Sequence, residues 1–152
     1  MLRPEHPDIA GTLYNLANLY RDQNKYDEAE ALFQRDLAIK EKALGPEHPD
    51  TALSLDNLAS LYSEQGRNER AETLYMRALA IREKMLGPEH PDTAQTLDNL
   101  ASLYREQGKD EQAEPLYLQA LAIREKMLGP EHPDTAMTLN NLSLIHISEP
   151  TR

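Results

Sequence analysis

The sequence predicts an all-α protein, an α-solenoid in which short helix–turn–helix units stack beside one another. The main observation is an internal repeat, because residues 88–129 are identical to residues 46–87 at 33 of 42 positions. A second observation is that apolar residues in each unit recur three and four positions apart, as they do on one face of an α-helix. A third is that proline and glycine recur at the same places in each unit, where they would separate helices.

The repeat divides the chain into three full units and one partial unit, which we place at residues 4–45, 46–87, 88–129 and 130–142. We therefore expect one repeat array over residues 1–142. Residues 143–152 have no counterpart in the other units, and we interpret them as a non-repeat tail, either a native divergent end or a non-native, translated adapter sequence. These boundaries suggest a fragment of a longer bacterial or metagenomic array. We expect Met1–Pro4 to resemble the end of a repeat's second helix or to be loose, and Ser148–Arg152 to be irregular or frayed.

The composition argues against nucleic acid and membrane as partners. The chain has a formal net charge of −10, which is spread over the units, and an acidic surface repels phosphate backbones and anionic lipid. It has no cysteine, which excludes disulfides and thiolate metal sites. Its apolar runs are much shorter than a membrane span, and its first residues lack the apolar core of a signal peptide. We therefore expect a cytoplasmic protein.

The segment PEHPD opens each unit and is predicted to link two helices. Proline suits the first position of a helix, and the residue before a proline is pushed towards the extended conformation that a helix N-cap requires. The predicted N-caps are His6, His48, His90 and His132. These histidines lack the paired spacing of metal ligands, so we predict no metal site.

The first helix of each unit, helix A, is predicted at residues 49–65 in the second unit. Its buried stripe follows helical spacing in all three units: Leu13, Leu16, Ala17 and Tyr20, then Leu55, Leu58, Ala59 and Tyr62, then Leu97, Leu100, Ala101 and Tyr104. Gly66 and Gly108 are expected to end the helix in a left-handed turn, and Asn24 replaces glycine in the first unit.

The second helix of each unit, helix B, is predicted at residues 69–85, antiparallel to helix A because the loop between them is short. Its buried stripe is Ala71, Leu74, Tyr75, Ala78, Ile81 and Met85. Asp36 occupies the position of Ala78 and Ala120 in the first unit. We expect Asp36 either to lie at a less covered site or to pair with a cation.

These residues resemble the tetratricopeptide repeat family, and in particular the 42-residue repeats of kinesin light chain. The resemblance rests on Leu55-x2-Leu58-Ala59-x2-Tyr62 followed by Ala71-x3-Tyr75 and Ala78, together with the motifs LxNLAxLYxxQGK and LGPEHPD. It implies a right-handed superhelix whose A helices line a concave groove. It also implies that this groove binds extended or short helical peptides.

Candidate ligand-binding residues lie on helix A, opposite its buried stripe. Asparagine recurs there although a solvated helix face usually favours Glu, Lys or Arg, and a primary amide can both donate to and accept from a peptide backbone. By resemblance, these asparagines clamp a peptide, with small and basic neighbours at the groove: Asn15, Asn57, Asn99, Asn141, Asn18, Ser60, Ser102, Arg21 and Arg105. The alternative is that the asparagines form hydrogen bonds between repeats. Asp56 and Asp98, next to them in sequence, argue against strongly acidic ligands.

The sequence favours a non-catalytic scaffold that binds a protein or peptide ligand and needs no cofactor. It contains no nucleophile–base pair, phosphate-binding glycine loop or metal constellation, so we predict that it is not an enzyme. The alternative function is a structural or oligomerising segment of a larger signalling or regulatory protein. In that case the exposed repeat ends, including Leu142, Leu144, Ile145 and Ile147, would pair with other copies as a homo-oligomer.

Overall fold

The computed structural model describes residues 7–148, with side-chain positions for residues 9–145. This range holds seven α-helices and no strand: α1 (Pro7–Asp22), α2 (Tyr26–Leu44), α3 (Pro49–Glu64), α4 (Asn68–Met85), α5 (Pro91–Glu106), α6 (Asp110–Met127) and α7 (Pro133–Ser148). The all-α repeat architecture is thereby confirmed, and α3 and α4 end within one residue of their predicted bounds. The expectations for Met1–Pro4 and for His6 lie outside the described residues.

The chain divides into two compact units, Met1–Ile81 and Arg82–Arg152. In the first unit α1 packs on α2 and α2 packs on α3. In the second unit α5 packs on α6, α6 packs on α7, and α5 also approaches α7 directly. Odd-numbered helices are thus A helices and even-numbered helices are B helices.

The PEHPD linkers end at the predicted histidine N-caps. Nδ1 of His48 accepts a hydrogen bond from the backbone N–H of Asp50 at 3.0 Å, and His90 and His132 make the same bond to the residue two positions on. Each bond satisfies one of the backbone donors that a helix start leaves without a partner. A short local sequence therefore fixes where these A helices begin.

A buried threonine completes each linker, and the sequence reasoning did not single it out. Thr51 Oγ1 donates to the carbonyl oxygen of Gly45 at 2.8 Å, and Thr93 and Thr135 repeat the contact with Gly87 and Gly129. All three threonines are fully buried. The signal was present in the sequence, because threonine follows PEHPD at each of these linkers.

Left-handed residues end the A helices as predicted. Asn24, Gly66 and Gly108 have φ values of 62°, 75° and 77°. The following N–H, that of Arg67 for example, returns to the carbonyl of Tyr62 at 2.9 Å, which closes the last turn. Only a few residues then separate helix A from helix B, so the two run antiparallel.

The core of the first unit includes a cluster in which α3 faces α4. Ala52 and Leu55 of α3 meet Ala78 and Ile81 of α4, and Leu37 and Leu74 pack against them. Alanine at these positions lets the helix backbones approach closely, while leucine and isoleucine fill the space beside them. Leu55, Leu74, Ala78 and Ile81 belong to the predicted stripes, and Ala52 is a core residue that the prediction for α3 did not include.

The predicted buried stripe of α4 wrongly includes the last residue of the helix, Met85. Met85 is 52% exposed, whereas Ile81, one turn earlier, is 5% exposed. Met85 is the last residue of α4, where the helix meets solvent before the next linker. The expectation that Met85 is buried is therefore wrong.

The buried stripe of α1 is narrower than predicted. Leu16 is 37% exposed, whereas its equivalents Leu58 and Leu100 are buried, so the expectation for Leu16 is wrong. Helix α3 also buries Leu61, on the face that meets α2. Leu19 stands at the same repeat position in α1 and is 51% exposed. In the described part of the chain no helix precedes α1, so this second face has no neighbour there.

Asp36 is fully buried, so the expectation of a less covered site is wrong and the expectation of a cation partner is confirmed. Its carboxylate accepts a hydrogen bond from Ser54 Oγ at 2.7 Å and lies 3.6 Å from Lys40 Nζ. A carboxylate with a hydroxyl donor and an ammonium group beside it is tolerated in a core position that otherwise holds alanine.

The last helix continues beyond the point where the repeat pattern was expected to stop. It ends at Ser148, so Ser148 is helical and not irregular, while fraying of this helix end stays a prediction. Helical structure thus extends across residues 143–148, which the sequence pattern assigned to a tail. Residues 149–152 lie outside the described range.

Two apolar residues of the predicted tail region are part of the core. Ile145 lies at the position of Leu61 and Leu103 and is fully buried, and Leu142 is only 6% exposed. The prediction that Leu142 and Ile145 are exposed is therefore wrong, because both are buried in the second unit, where α7 packs on α6. Leu144 is exposed as predicted, and the Ile147 side chain lies outside the described residues.

Candidate protein-binding surface

The predicted site residues all lie on A helices and divide between the two units. The first unit holds two of the four recurring asparagines and the second unit holds the other two. Asn15 is exposed, whereas the side chains of the other site residues are partly buried. Their hydrogen bonds show which of them are available to a ligand and which are already used by the fold.

A chain of hydrogen bonds in the second unit orients the amide of Asn99. Arg124 Nη2 donates to Gln95 Oε1 at 2.9 Å, and Gln95 Nε2 donates to Asn99 Oδ1 at 3.0 Å. The oxygen of Asn99 is therefore occupied, and within the described residues its Nδ2 group has no hydrogen-bond partner. The arrangement leaves a preorganised amide donor at the surface. The sequence places Gln95 on the same helix face as Asn99, but Gln95 was not among the predicted binding residues.

Arg124 is the buried centre of this chain. It forms an ion pair with Asp98, donates to Thr138 Oγ1 at 2.7 Å, and lies 3.3 Å from the carbonyl oxygen of Asp134. Arg124 and Asp98 are 1% and 2% exposed. Because Asp98 is buried and neutralised, it does not face a ligand, and the sequence argument that it disfavours acidic ligands is wrong. Asp56, used in the same argument, is buried as well.

Residues of α7 extend the surface around Asn99, because α5 and α7 lie side by side. Asn141 of α7 is partly buried, and Met137, one turn earlier, is exposed. Gln95 and Asn99 of α5 and Met137 and Asn141 of α7 stand at equivalent repeat positions on two helices that contact each other, and we call these four residues the α5–α7 surface. Such a surface can form hydrogen bonds with a peptide backbone and contact one apolar side chain.

Ser102 is engaged within the fold. Its Oγ lies 2.6 Å from the Tyr117 hydroxyl oxygen, which joins α5 to α6. Burial raises the pKa of the Tyr117 phenol, an effect opposed by the Ser102 hydrogen bond and by the positive charge of Arg105. Ser102 therefore positions a buried tyrosine, and the partly buried Arg105 acts on that tyrosine electrostatically.

The predicted site residues of the first unit are less available. Asn18 Nδ2 donates to the carbonyl oxygen of Tyr14 at 3.1 Å, and Arg21 lies 3.8 Å from Glu64 in an ion pair. Asn57 Nδ2 is shielded from solvent and has no hydrogen-bond partner among the described residues, and Leu53 stands at the position of Gln95. Leu53 has no amide, so it cannot orient Asn57 as Gln95 orients Asn99.

A cavity of about 450 Å³ lies between α3 and α4 in the first unit. It is lined by Leu58, Tyr62, Glu69, Arg70, Thr73 and Leu74. The Tyr62 ring is flanked by two guanidinium groups, those of Arg67 and Arg70, whose carbons lie 5.9 and 5.8 Å from the ring centroid. The Tyr62 hydroxyl donates to Glu30 Oε1 at 2.9 Å, so the ring belongs to a packed polar cluster.

The described residues form neither a metal-binding cluster nor a membrane-spanning helix. Residues 7–148 contain no group of three or more His, Cys, Asp or Glu side chains arranged to hold a metal ion. None of the helices described there is both long and apolar enough to cross a membrane.

The sequence matches the tetratricopeptide repeat family over residues 8–84 and again over residues 69–126. The chain belongs to the tetratricopeptide repeat family. The fold of this family is a protein–protein interaction scaffold in general. No curated protein matches the chain significantly.

This tetratricopeptide repeat chain is similar in structure to solved kinesin light chain-like proteins. The crystal structure of BtubC (BKLC) from P. vanneervenii is 28% identical with a TM-score of 0.82, and the match covers 93% of this chain and 57% of that one. The crystal structure of a Podosopora anserina kinesin light chain-like protein with nearly identical TPR-like repeats is 32% identical, with a TM-score of 0.76 and coverages of 97% and 70%. The chain thus spans little more than half of the first of these proteins.

A more distant structure shares only the fold. The Yersinia enterocolitica type III secretion translocator chaperone SycD is 17% identical with a TM-score of 0.68, and the match covers 91% of each chain. Tetratricopeptide repeat proteins of these kinds are typically non-catalytic scaffolds.

Proposed function

We propose that this tetratricopeptide repeat chain is a non-catalytic scaffold that binds a peptide or protein segment on the α5–α7 surface. The observation that supports this proposal best is the oriented amide of Asn99. Its oxygen accepts from Gln95 at 3.0 Å, which directs the donor group of Asn99 away from that bond. The carbonyl of a bound peptide would complete the hydrogen-bonding capacity of this amide.

The chemistry of the surface favours backbone recognition. A single amide-to-carbonyl hydrogen bond contributes about 0.5–1.5 kcal/mol, and the exposed Met137 adds apolar contact with a ligand side chain. The Asp98–Arg124 pair beneath the surface is buried and neutral as a pair, so it does not repel an acidic segment. Because each hydrogen bond contributes little, the affinity for a peptide would be modest. The preference for one peptide over another would depend on the apolar side chain that contacts Met137.

The test begins with selection of binding sequences from an array of random 12-residue peptides probed with the full chain. The strongest peptide is then labelled with fluorescein and titrated by fluorescence anisotropy. We expect the double variant Asn99→Ala, Asn141→Ala to raise Kd by about ten-fold or more, because two donors are removed from the contact surface. Circular dichroism should show unchanged helicity.

Asn140→Ala provides the matched control. Asn140 is the exposed neighbour of Asn141 on α7, and the described structure gives it no hydrogen bond. This variant should bind the selected peptide as the unchanged chain does. Equal Kd values for the double variant and the unchanged chain would contradict the proposed surface. A loss of thermal stability in the double variant would indicate that the asparagines are structural.

A second candidate function is self-association, and one observation favours it. Leu16 and Leu19 of α1 lie three residues apart on one helix face and are both exposed, with Leu19 the more exposed of the two. Exposed apolar patches of this kind often mark protein contacts. Sedimentation velocity over a range of concentrations distinguishes the two functions, because a scaffold alone would remain one species.

A further inference from the structure

We propose that Gln95 and Arg124 are positioning residues, which hold the amide of Asn99 with its donor group towards a ligand and so make this point of the α5–α7 surface select a carbonyl oxygen. Selection of a ligand group rests on the proposed function, whereas the orientation of Asn99 is a property of the free chain. The two can therefore be tested separately.

The donor atoms of Arg124 fix the orientation of both amides. An arginine side chain has N–H donors and no acceptor, so the Gln95 atom that lies 2.9 Å from Arg124 must be the oxygen. The nitrogen of Gln95 then faces Asn99, and because this nitrogen only donates, the Asn99 atom 3.0 Å away must also be an oxygen. The Nδ2 group is the remaining end of the Asn99 amide, and it is not shielded from solvent. One arginine on α6 thus decides which end of Asn99 meets a ligand.

The guanidinium of Arg124 is itself fixed from its other side. Its Nη1 atom forms the ion pair with Asp98, donates to Thr138 Oγ1 at 2.7 Å and lies 3.3 Å from the carbonyl oxygen of Asp134. Thr138 Oγ1 also lies 3.2 Å from the same carboxylate oxygen of Asp98. Because a guanidinium is planar and rigid, contacts at Nη1 leave Nη2 one direction, which is towards Gln95. The orientation of the surface amide is therefore set by a buried group.

The other repeats lack the glutamine that makes this connection. Its position holds Gly11 in the first repeat, Leu53 in the second and Met137 in the last. None of these residues has a side-chain amide, and in the second repeat the Nδ2 group of Asn57 is shielded from solvent. Of the four recurring asparagines, we therefore expect Asn99 to contribute most to binding.

The variant Gln95→Glu is expected to invert the Asn99 amide. The new carboxylate can accept from Arg124, as Gln95 does, but it has no N–H to donate to Asn99. The Nδ2 group of Asn99 would then donate to this carboxylate, and the oxygen of Asn99 would face the ligand. Gln95→Leu, which copies the second repeat, removes the restraint without reversing it. Gln112→Glu, at an exposed position in the first turn of α6, is the control for the added charge.

The first test uses the full chain without a ligand. Heteronuclear NMR of the nitrogen-labelled chain detects the side-chain amide of Asn99, which is assigned by its loss in Asn99→Ala. We expect Gln95→Glu to move one Nδ2 proton downfield and to slow its exchange with water by about three- to ten-fold, the effect of one hydrogen bond gained. Gln112→Glu should leave this signal unchanged. The positioning role is overturned if Gln95→Glu also leaves the shift and the exchange rate unchanged.

The second test uses the peptide selected for the proposed function. It is synthesised with one backbone carbonyl at a time replaced by a thiocarbonyl, whose sulfur is a weaker hydrogen-bond acceptor. One such replacement should raise Kd for the unchanged chain by about three-fold or more, and Asn99→Ala should abolish this sensitivity whereas Asn57→Ala should retain it. Gln95→Glu should also abolish it and weaken binding of the unmodified peptide by about ten-fold, because two oxygens would then face each other.

The results distinguish the positioning role from the proposed function. If the amide of Asn99 turns in Gln95→Glu but no peptide depends on Asn99, the proposed function fails and the positioning role remains. If Asn99→Ala weakens binding while Gln95→Glu and Gln95→Leu bind as the unchanged chain does, the surface binds a peptide and the positioning role is overturned. Gln95→Leu should fold normally, as circular dichroism can verify, because leucine already occupies this position in the second repeat.

Discussion

At the scale of single residues, each unit buries a carboxylate, which belongs to a B helix in the first unit and to an A helix in the second. The hydroxyl and the cation that contact this carboxylate stand at equivalent repeat positions in both units. Asp36 of helix α2 accepts from Ser54 and lies beside Lys40. In the second unit the carboxylate comes from Asp98 of an A helix, yet the hydroxyl and the cation, Thr138 and Arg124, stand at the positions of Ser54 and Lys40. The carboxylate can therefore come from either helix when the surrounding donors remain.

We predict that Arg124→Met lowers the free energy of unfolding by about 3–5 kcal/mol, because it leaves the buried carboxylate of Asp98 without its cation. Urea denaturation followed by circular dichroism measures the change. The double variant Arg124→Met, Asp98→Leu should recover a substantial part of the loss, since no buried charge then remains. A single variant that is destabilised by less than about 1 kcal/mol would show that the pair is not buried in solution.

At the scale of helices, position in the array decides how many faces of an A helix are covered. Helix α3 buries both Leu55, which faces α4, and Leu61, which lies on its second face. In α1 the second face is exposed at Leu19, and in α7 the first face is exposed at Leu139. Nearly the same amino-acid pattern thus gives different surfaces, because burial requires a neighbouring helix.

We predict that Ala71→Leu destabilises the chain by about 1–3 kcal/mol, because Ala71 is fully buried on α4 and a larger side chain would force the helices apart. Thermal unfolding of the purified variant measures the effect. Ala80→Leu on the same helix is the control, since Ala80 is exposed and should tolerate leucine. An unchanged melting temperature for Ala71→Leu would mean that Ala71 is not at a helix contact.

At the scale of the whole molecule, the excess of acidic residues is the dominant electrostatic property. The chain has 26 Asp and Glu residues against 16 Lys and Arg residues, which gives the formal net charge of −10. Several of its cations are already engaged by the fold, including Arg124 with Asp98 and Arg67 with Glu30. A polyanionic partner would therefore meet repulsion with few available cations to offset it.

We predict that the chain does not bind double-stranded DNA at about 50 mM salt, a condition that strengthens electrostatic contacts with phosphate. Fluorescence anisotropy of a labelled 20-base-pair duplex is the measurement, with titration of the protein into the micromolar range. A saturable isotherm whose affinity falls as salt is raised would contradict this expectation.

The sequence by itself determined the elements of this protein and their order. The helix starts at His48, His90 and His132 and the left-handed ends at Asn24, Gly66 and Gly108 depend on hydrogen bonds between residues two to five positions apart. Because the sequence repeats, each unit is expected to have the same structure. The spacing of apolar residues predicts which face of helix A packs against helix B of the same unit. All of these are local or periodic properties that can be read without coordinates.

Only the tertiary structure decided which predicted residues a ligand can reach. Ser102 and Asn99 both appear polar and available in the sequence, but Ser102 bonds Tyr117 and Asn99 is oriented by Gln95. Asp98 appears to be a surface acid and is buried against Arg124, which lies 26 positions away. The physical reason is that burial and hydrogen-bond partners depend on side chains brought together from different helices, and the spacing within a single helix does not contain that information.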